Sequence, residues 1–370
     1  MSSEKKLAII GASLFQQALI LKAREMGVET HVFAWKTGDA GEEMADYFYP
    51  ISTREQDQIL EKCREIGIDG ITSIGSDIAM LTVNYVADKM GLVGNSIEAT
   101  RISTNKHWMR EAFEKNGDPS PKSVLVDDTT DLSQLNFDFP IIVKPTDRSG
   151  SRGITKIWKR EELEPAVREA IEISWEGKAL VEEFAEGQEY SVEYISYAGK
   201  HWMLTVTQKK TSGEPYYMET GHIQPAPITN KRRENIRRVC DHALDTLGLK
   251  YGAAHAELKV DDDESIKIIE IGGRMGGDFI GSDLVQLSTG YDFVRAVIEV
   301  ALGEELETPE VCDKQTVAVR FIASEEDYEE YQKMKNENPE RIVKEHITGE
   351  CKGTINLVDD RTDSYIYIVK

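Results

Sequence analysis

The sequence predicts an α/β domain followed by α+β structure, and three observations support this fold class. Through the first hundred residues, short apolar strands alternate with amphipathic helices, which favours a Rossmann-like parallel sheet covered by helices. From Thr104 onward, strands outnumber helices, as is typical of α+β folds. The C-terminal part adds a small β region around an acidic helix at Glu325–Lys335, which we interpret as a solvated face. We therefore expect the organisation of the chain to change near Thr104 and again in the last sixty-odd residues.

Each element of the first domain follows from the spacing of its apolar residues. Apolar runs predict strands at Leu7–Ile10, Thr30–Ala34 and Gly70–Ile74. Helical spacing predicts three helices with apolar positions at Leu14, Ala18, Leu21, Ile59, Cys63, Ile66, Ile78, Leu81 and Tyr85. The turn Gly11–Ser13 has only the first glycine of a dinucleotide-binding fingerprint, and Ala34–Lys36 lacks the acid that binds ribose. A Rossmann-like layer without a nucleotide is therefore favoured over an NAD site.

The remaining chain shows mainly strand patterns. A helix begins near Thr104–Lys106 and ends before Pro119, and further helices are expected at Glu161–Ile173 and around Ile236–Leu247. Strands are expected at Ser123–Val126, Pro140–Lys144, Ile154–Trp158, Ala179–Glu183, Tyr190–Tyr197, His201–Gln208, Gly252–Val260, Ser265–Ile271, Thr316–Ile322, Gly353–Val358 and Ser364–Val369.

Composition excludes several classes of protein. With 66 acidic and 44 basic residues, the formal net charge of −22 argues against nucleic acid or an anionic membrane as the main partner. The apolar run Leu7–Ile10 is too short for a signal peptide, and none approaches the roughly 20 residues of a membrane helix. The four cysteines lie far apart, so neither a disulfide framework nor a zinc cluster is indicated. We expect a cytoplasmic enzyme.

A lysine that closes an apolar strand is the first sign of a site. Lys144 ends the strand at Phe139–Pro145, where burial is costly unless an anion meets the charge. The following segment, Asp147–Ile154, is rich in Gly, Ser and Arg, so its backbone N–H groups can fold over phosphate oxygens. A surface lysine beside an ordinary hairpin loop is the alternative.

Acidic residues between two strands form the second candidate. The segment Leu180–Glu193 places Glu182, Glu183 and Glu189 around a short crossover. Acids in this arrangement can accept hydrogen bonds from an adenine amino group and from ribose hydroxyls. When the segment is taken alone, an exposed acidic turn is the favoured explanation.

The third candidate is a hairpin that brings two acids face to face. A two-residue turn at Asp263-Glu264 sets Glu257 directly opposite Glu270, and like charges so placed destabilise a hairpin unless a divalent cation bridges them. Carboxylate oxygens are ligands that Mg²⁺ accepts. The aspartate run is interpreted as turn composition. Beyond the hairpin, Gly272–Asp278 offers glycines for close approach to a ligand and Arg274 for binding phosphate or carboxylate.

Taken in order, these segments resemble the ATP-grasp superfamily. The most similar members are the carboxylate–amine ligases, which include bacterial L-amino-acid ligases and carbamoyl-phosphate-synthase-like proteins. The resemblance covers nearly the whole chain. It implies a pre-ATP-grasp domain at 1–103, a two-part ATP-grasp domain at 104–305 whose lid lies at about 120–190, and a C-terminal subdomain at 306–370 that completes the grasp.

The resemblance also implies roles for single residues. The catalytic set would be Arg274, which stabilises the transferred phosphoryl group, with His255 and Lys144. Glu182 would hold the adenine amino group and Glu189 the ribose, while Ser149–Gly153 would close as a lid. The nucleotide-binding set comprises Lys106, Lys144, Ser149, Gly150, Ser151, Glu182, Glu183, Phe184, Ala185 and Glu189. Glu257 and Glu270 would carry Mg²⁺, for which Mn²⁺ is an alternative.

Two positions depart from the family pattern. Gly272 stands where many members have an asparagine metal ligand, so a water molecule or Asp278 is expected to substitute for it. His255 stands where some relatives carry an arginine beside the acyl phosphate, and a packed structural histidine is the alternative.

The acceptor pocket is expected around the segment Glu214–His222, which includes Tyr216. A glutamate there could hold an amino-acid ammonium group, although an ordinary loop is the alternative. Arg320 could anchor a substrate carboxylate, or form a surface salt bridge. The substrate set is then Glu219, His222, Arg320, Gly276 and Gly277.

The function implied by this resemblance is ATP-dependent formation of an amide bond through an acyl phosphate, with ATP and Mg²⁺ and small-molecule carboxylate and amine substrates. A bicarbonate-using enzyme and a non-catalytic nucleotide-binding module are the alternatives. The family resemblance also implies that the protein forms a homodimer.

Overall fold

The protein folds around three β-sheets. The computed structural model describes residues 5–150, 152–213, 219–348 and 363–369. In these ranges, one sheet has eight strands and two have four strands each. This mixed arrangement confirms the predicted combination of α/β and α+β structure.

The first sheet is parallel, with strand order β3-β2-β1-β4. Its strands are β1 (Lys6–Ile10), β2 (Glu29–Phe33), β3 (Tyr47–Tyr49) and β4 (Gly70–Thr72). Its helices are α1 (Leu14–Glu25), α2 (Ala40–Met44), α3 (Gln56–Ile66), α4 (Asp77–Met90) and α5 (Ile97–Thr104). The short edge strand β3 and the helix α2 were not expected from the sequence, because each is too short to show a periodic pattern.

A second, antiparallel sheet has the order β5-β8-β6-β7. It follows α6 (Lys106–Asn116), and its elements are β5 (Ser123–Val126), β6 (Ile141–Pro145), β7 (Thr155–Ile157), α7 (Leu163–Ile173) and β8 (Ala179–Glu183). The helix α7 covers one face of the sheet, and together they bury Val143, Val167 and Val181. Asn105 caps α6 through hydrogen bonds to its side chain, which fixes Lys106 at the helix start.

The third sheet is antiparallel and has the order β13-β12-β9-β10-β11-β14-β16-β15. Its strands are β9 (Gln188–Tyr197), β10 (Lys200–Thr211), β11 (Glu219–Gln224), β12 (Gly252–Val260), β13 (Ile266–Gly272), β14 (Val317–Ile322), β15 (Ile342–His346) and β16 (Asp363–Ile368). The helices of this region are α8 (Asn230–Leu247), α9 (Val285–Thr289), α10 (Phe293–Ala301) and α11 (Glu325–Glu337). The C-terminal strands therefore extend the large sheet.

The first sheet and its helices share a hydrophobic core with the large sheet. Ile9 of β1, Leu19 of α1, Ile195 of β9, and Phe293 and Val297 of α10 belong to one buried cluster. Burial of this kind is the main stabilising term between packed layers. The β4–α4 connection is thereby held against the segment after β13, where the predicted site lies.

Two strands, β11 and β15, were not expected, whereas the acidic helix was predicted correctly. The strand expected at Gly353–Val358 lies outside the described residues. Among the helices of the described ranges, none combines the length and the apolar character needed to cross a bilayer. The predicted domain boundaries and the homodimer stay predictions.

Candidate functional site

Two carboxylates face each other across the β12–β13 hairpin. Glu257 pairs with Glu270 in the register, as the sequence predicts. The two-residue turn behind that prediction is wrong, because Val260 pairs with Ile266 and leaves a longer turn. A β-bulge between Glu257 and Leu258 shifts the register by one residue and restores the expected pair.

Cations surround this pair. Lys209 Nζ of β10 lies 3.2 Å from Glu257 Oε1, and Lys106 Nζ of α6 lies 2.9 Å from Glu270 Oε1. Burial opposes ionisation of Glu257, but Lys209 and His255 hold its pKa well below the usual range. Two carboxylates that face each other, of which Glu257 is held ionised by its neighbours, are a donor set suited to Mg²⁺.

Lys209 was not identified from the sequence, yet it joins three predicted residues. Its ammonium group lies 2.9 Å from Glu189, 2.6 Å from Glu219 and 3.2 Å from Glu257. Burial favours the neutral amine, but the three carboxylates raise the pKa of Lys209 well above its ordinary value. The residues predicted to bind ribose, substrate and metal therefore all contact one buried ammonium group, that of Lys209.

Lys144, the lysine expected to bind phosphate, belongs to a second buried cluster. Lys144 Nζ lies 2.6 Å from Glu182 Oε2, and Arg110 Nε lies 2.8 Å from Glu182 Oε1. Burial opposes the charge, but Arg110 and Lys144 hold the pKa of Glu182 below its usual range. Burial, aided by Arg110 and Lys106, lowers the pKa of Lys144. The alternative of a surface lysine is wrong, and the adenine contact of Glu182 stays a prediction.

The residues after Glu182 lie at the edge of this region. Glu183 accepts a hydrogen bond from the backbone N–H of Lys122 at 3.1 Å. Lys156 Nζ lies 3.8 Å and Lys259 Nζ 4.7 Å from the centre of the Phe184 ring. Ala185, beside that ring, is half-buried. These two lysines, which were not assigned to the site from the sequence, place positive charge beside Phe184, a member of the expected nucleotide-binding set.

The glycine-rich loop borders Lys106. Arg148 accepts a hydrogen bond from Lys106 Nζ on its carbonyl oxygen at 2.7 Å, and its guanidinium group lies 4.2 Å from the Trp175 ring centre. Ser149 is half-buried, and Gly150 has φ of +69°, a value that favours glycine. Ser151 lies outside the described residues. The lid role of the loop stays a prediction.

The segment after β13 contacts the start of α4. Arg274 donates from Nε and Nη2 to the two carboxylate oxygens of Asp77, at 2.9 and 3.0 Å. Gly276 donates its backbone N–H to Glu193 at 3.0 Å, and a Cβ there would lie 2.5 Å from a Glu193 oxygen. Glycine at 276 therefore serves packing against Glu193. A Cβ at Gly277 would meet nothing within 4 Å among the described residues.

The acceptor residues lie on a strand. The alternative of an ordinary loop is wrong for Glu219 and His222, which belong to β11, while Tyr216 lies outside the described residues. Glu219, His222 and Asp278 each place a potential ligand atom within 4.8 Å of the others. Burial and the adjacent Asp278 raise the pKa of Glu219, against the effect of Lys209. His222 is fully buried, and neither ring nitrogen has a hydrogen-bond partner in the described part of the chain.

Arg320, the expected carboxylate anchor, forms salt bridges with α11. Its Nη2 lies 2.9 Å from Asp327 Oδ1, and its Nη1 forms an ion pair with Glu330, both on α11. The salt-bridge alternative is the one observed, because the acidic first turns of α11 lie beside β14. Asp278, the expected substitute for the missing asparagine, lies instead beside His222, with 3.7 Å between Oδ2 and Nε2.

Comparison with known proteins identifies a known domain in this part of the chain. The pattern of the ATP-grasp domain matches residues 137–283. The chain contains an ATP-grasp domain. That match includes β6, the β12–β13 hairpin and Arg274, so most of the clustered residues lie inside it.

Relatives and solved structures show how far the ATP-grasp similarity extends. The alanine–anticapsin ligase of Bacillus subtilis (strain 168) is 24% identical over 279 residues, which are 69% of this chain and 58% of that protein's own length. The D-alanine–D-alanine ligase of Haemophilus ducreyi is 28% identical over 60% of this chain and 75% of that protein. The structure superimposes on the crystal structure of an L-amino acid ligase from Bacillus licheniformis with a TM-score of 0.83 and 22% sequence identity. The alignment covers 100% of this chain and 94% of the ligase chain.

His255 lies between Glu257 of the β12–β13 hairpin and Glu193 of β9. Its Nδ1 contacts Glu193, and its Nε2 lies 3.2 Å from Glu257 Oε1. Burial opposes protonation and Arg274 opposes it weakly, but Glu193 and Glu257 raise the pKa of His255 to about 9. The ring is therefore a cation at neutral pH.

This raised pKa predicts a stability that depends on pH. Because the folded pKa lies above the unfolded value of about 6.5, the contribution is complete below pH 6.5 and is lost as the pH rises through about 9. The expected loss is about 3 kcal/mol. Urea unfolding of wild type and His255→Gln between pH 6 and pH 10 measures it. The difference between the two curves should shrink as the pH rises, and a constant difference would contradict the assignment.

Proposed function

We propose that this protein is an ATP-dependent carboxylate–amine ligase that activates an amino acid. One observation carries the proposal: Glu257 and Glu270 face each other inside an ATP-grasp domain, with Lys106 and Lys209 in contact with them. Paired carboxylates flanked by cations can bind a metal–nucleotide complex, whose metal and phosphates carry opposite charges.

The chain's residues divide the proposed chemistry among them. Mg²⁺ held by Glu257 and Glu270 would offset negative charge on the β- and γ-phosphates. Lys106 and Lys144 attract the phosphate oxygens, and Arg274 faces the transferred phosphoryl group. A substrate carboxylate oxygen bonds to the γ-phosphorus while the bond to ADP breaks. The amine nitrogen then attacks the carbonyl carbon of this acyl phosphate, loses a proton and displaces inorganic phosphate.

A cation-binding pocket supports an amino acid as the substrate. Asp278 lies close enough to Glu219 for their mutual repulsion to raise the pKa of Glu219, against the effect of Lys209, whose Nζ lies 2.6 Å away. An ammonium group donates to two carboxylates at once and relieves this repulsion. Buried His222 adds two ring nitrogens, and a ring N–H can donate a hydrogen bond to a substrate carboxylate.

The direct test is ADP release from MgATP with a panel of amino acids, singly and in pairs, and with bicarbonate. The proposal expects release that depends on Mg²⁺ and on an amino acid, together with an amide product seen by mass spectrometry. Release that depends on bicarbonate alone would indicate the carboxylase alternative. Nucleotide binding without turnover under any condition would indicate a non-catalytic module.

Replacing Glu219 with glutamine tests the pocket. The loss of one charge-assisted hydrogen bond of about 1.5–3 kcal/mol should raise the KM for the amino acid about 10–100-fold and leave the KM for MgATP nearly unchanged. Steady-state kinetics measure both constants. Glu330→Gln, which removes a similar charge beside Arg320, is the matched control and should change neither. An unchanged amino-acid KM in the Glu219 variant would remove this residue from the pocket.

A further inference from the structure

A buried ion pair joins the first domain to the ATP-grasp site. Asp77 is the first residue of α4, whose N-terminus Ser76 caps. It receives hydrogen bonds from Arg274 on both carboxylate oxygens, at 2.9 and 3.0 Å. The backbone N–H of Gly75 also donates to the carbonyl of Met275 at 3.2 Å. The β4–α4 turn thus rests directly on the segment that carries Arg274.

Gly272 provides the room for this pair. A Cβ built at position 272 would lie 2.5 Å from Asp77 Oδ1 and 3.2 Å from Arg274 Nε. The carboxylate of Asp77 therefore occupies the space that a side chain at 272 would need. Any residue other than glycine would push Asp77 away or displace the guanidinium group. The position of Asp77, almost two hundred residues earlier in the chain, therefore requires glycine at 272.

We propose that Asp77 is a positioning residue for Arg274, supplied to the active site by the first domain. A two-point contact with a carboxylate fixes the plane of a guanidinium group, which otherwise turns about several side-chain torsions. Because Asp77 holds Nε and Nη2, the first domain orients the remaining donor edge of Arg274, whose Nη1 makes a long hydrogen bond of 3.4 Å to the carbonyl oxygen of Met275. The pair is mostly buried, with side chains 14% and 11% exposed, so solvent does not loosen it.

The proposal rests on the proposed function, because it assumes that Arg274 faces the phosphoryl group. A purely structural role, in which the pair only docks two domains, is the competing explanation. Asn95 offers a matched control for docking. It is a buried first-domain residue whose side chain bonds to the backbone of Lys250 and Tyr251 at 2.7–3.0 Å, away from Arg274.

The first experiment compares Asp77→Asn, Gly272→Ala and Asn95→Ala in full-length protein, with MgATP and a mixture of the standard amino acids. Asp77→Asn and Gly272→Ala should each lower kcat for ADP release about tenfold or more, with the KM for MgATP changed less than about threefold. Asp77→Glu should recover part of the loss. Asn95→Ala should lower the melting temperature and leave kcat unchanged. If Asp77→Asn behaves like Asn95→Ala, the pair only docks the domains and the proposal fails.

Chemical rescue gives a readout that a docking role would not move. Guanidinium ion added to Arg274→Ala should restore part of the lost ADP release, because Asp77 retains the small cation in place. The same ion should not rescue the double variant Asp77→Asn/Arg274→Ala. Equal rescue of both variants would overturn the proposal. If Arg274→Ala itself keeps full activity, the role of Arg274 in the proposed function is wrong, which is a separate and distinguishable outcome.

Discussion

Replacing Glu257 with glutamine is expected to reduce Mg²⁺-dependent ADP release at least about 100-fold. The substitution removes one of the two charges that face each other at the hairpin but keeps the side-chain shape. If Mg²⁺ binds there, roughly 3 kcal/mol of charge stabilisation in phosphoryl transfer is lost, and each 1.4 kcal/mol corresponds to tenfold in rate. Calorimetry should also show weaker uptake of ADP in the presence of Mg²⁺.

The same hairpin supplies a control for Glu257. Asp262→Asn removes one negative charge from the exposed turn, so it should leave both Mg²⁺-dependent ADP affinity and turnover as in wild type. The competing explanation is that Glu257 exists only to neutralise Lys209 and His255. In that case Glu257→Gln would lower the melting temperature without weakening the binding of ADP with Mg²⁺, and the metal assignment would be wrong.

The features of the site that could be predicted from the sequence are those that depend on residues close to one another in the chain. Strand alternation and the turn composition were enough to place Glu257 opposite Glu270, although the turn is longer than expected and a bulge corrects the register. Lys144 was found because a charge at the end of an apolar strand needs a partner. Both arguments use residues that are neighbours in one strand or hairpin.

The partners of these residues could not be predicted, because they come from distant parts of the chain. Lys209 contacts Glu257 across 48 positions, and Asp77 contacts Arg274 across 197. The strand β11 was missed because Gly221 and the polar residues beside it weaken the apolar alternation that marks a strand. Strand order, which brings β10 and β11 to the site, is a property of the whole sheet.

The largest expected effect on stability comes from Glu182. Glu182, Arg110 and Lys144 form a cluster of one acid and two cations, with side chains only 3–4% exposed. Glu182→Gln would leave both cations without a compensating charge, and breaking a buried pair in this way typically costs about 3–5 kcal/mol. Urea unfolding at pH 7 measures the loss. Burial already lowers the pKa of Lys144, so the variant should recover stability as the pH rises and Lys144 releases its proton.

Glu183 provides a control that distinguishes the loss of this buried cluster from a general effect of removing one negative charge. Glu183 is next in the strand but half-buried, and it pairs with the exposed Lys122. Glu183→Gln should therefore cost less than about 1 kcal/mol. ADP with Mg²⁺ adds a second discrimination: if Lys144 binds phosphate, the nucleotide restores a negative charge beside it, and should stabilise Glu182→Gln more than wild type. Equal stabilisation of both would argue against a contact between Lys144 and the phosphates, and weaker stabilisation of the variant would indicate that Glu182 itself contacts the nucleotide.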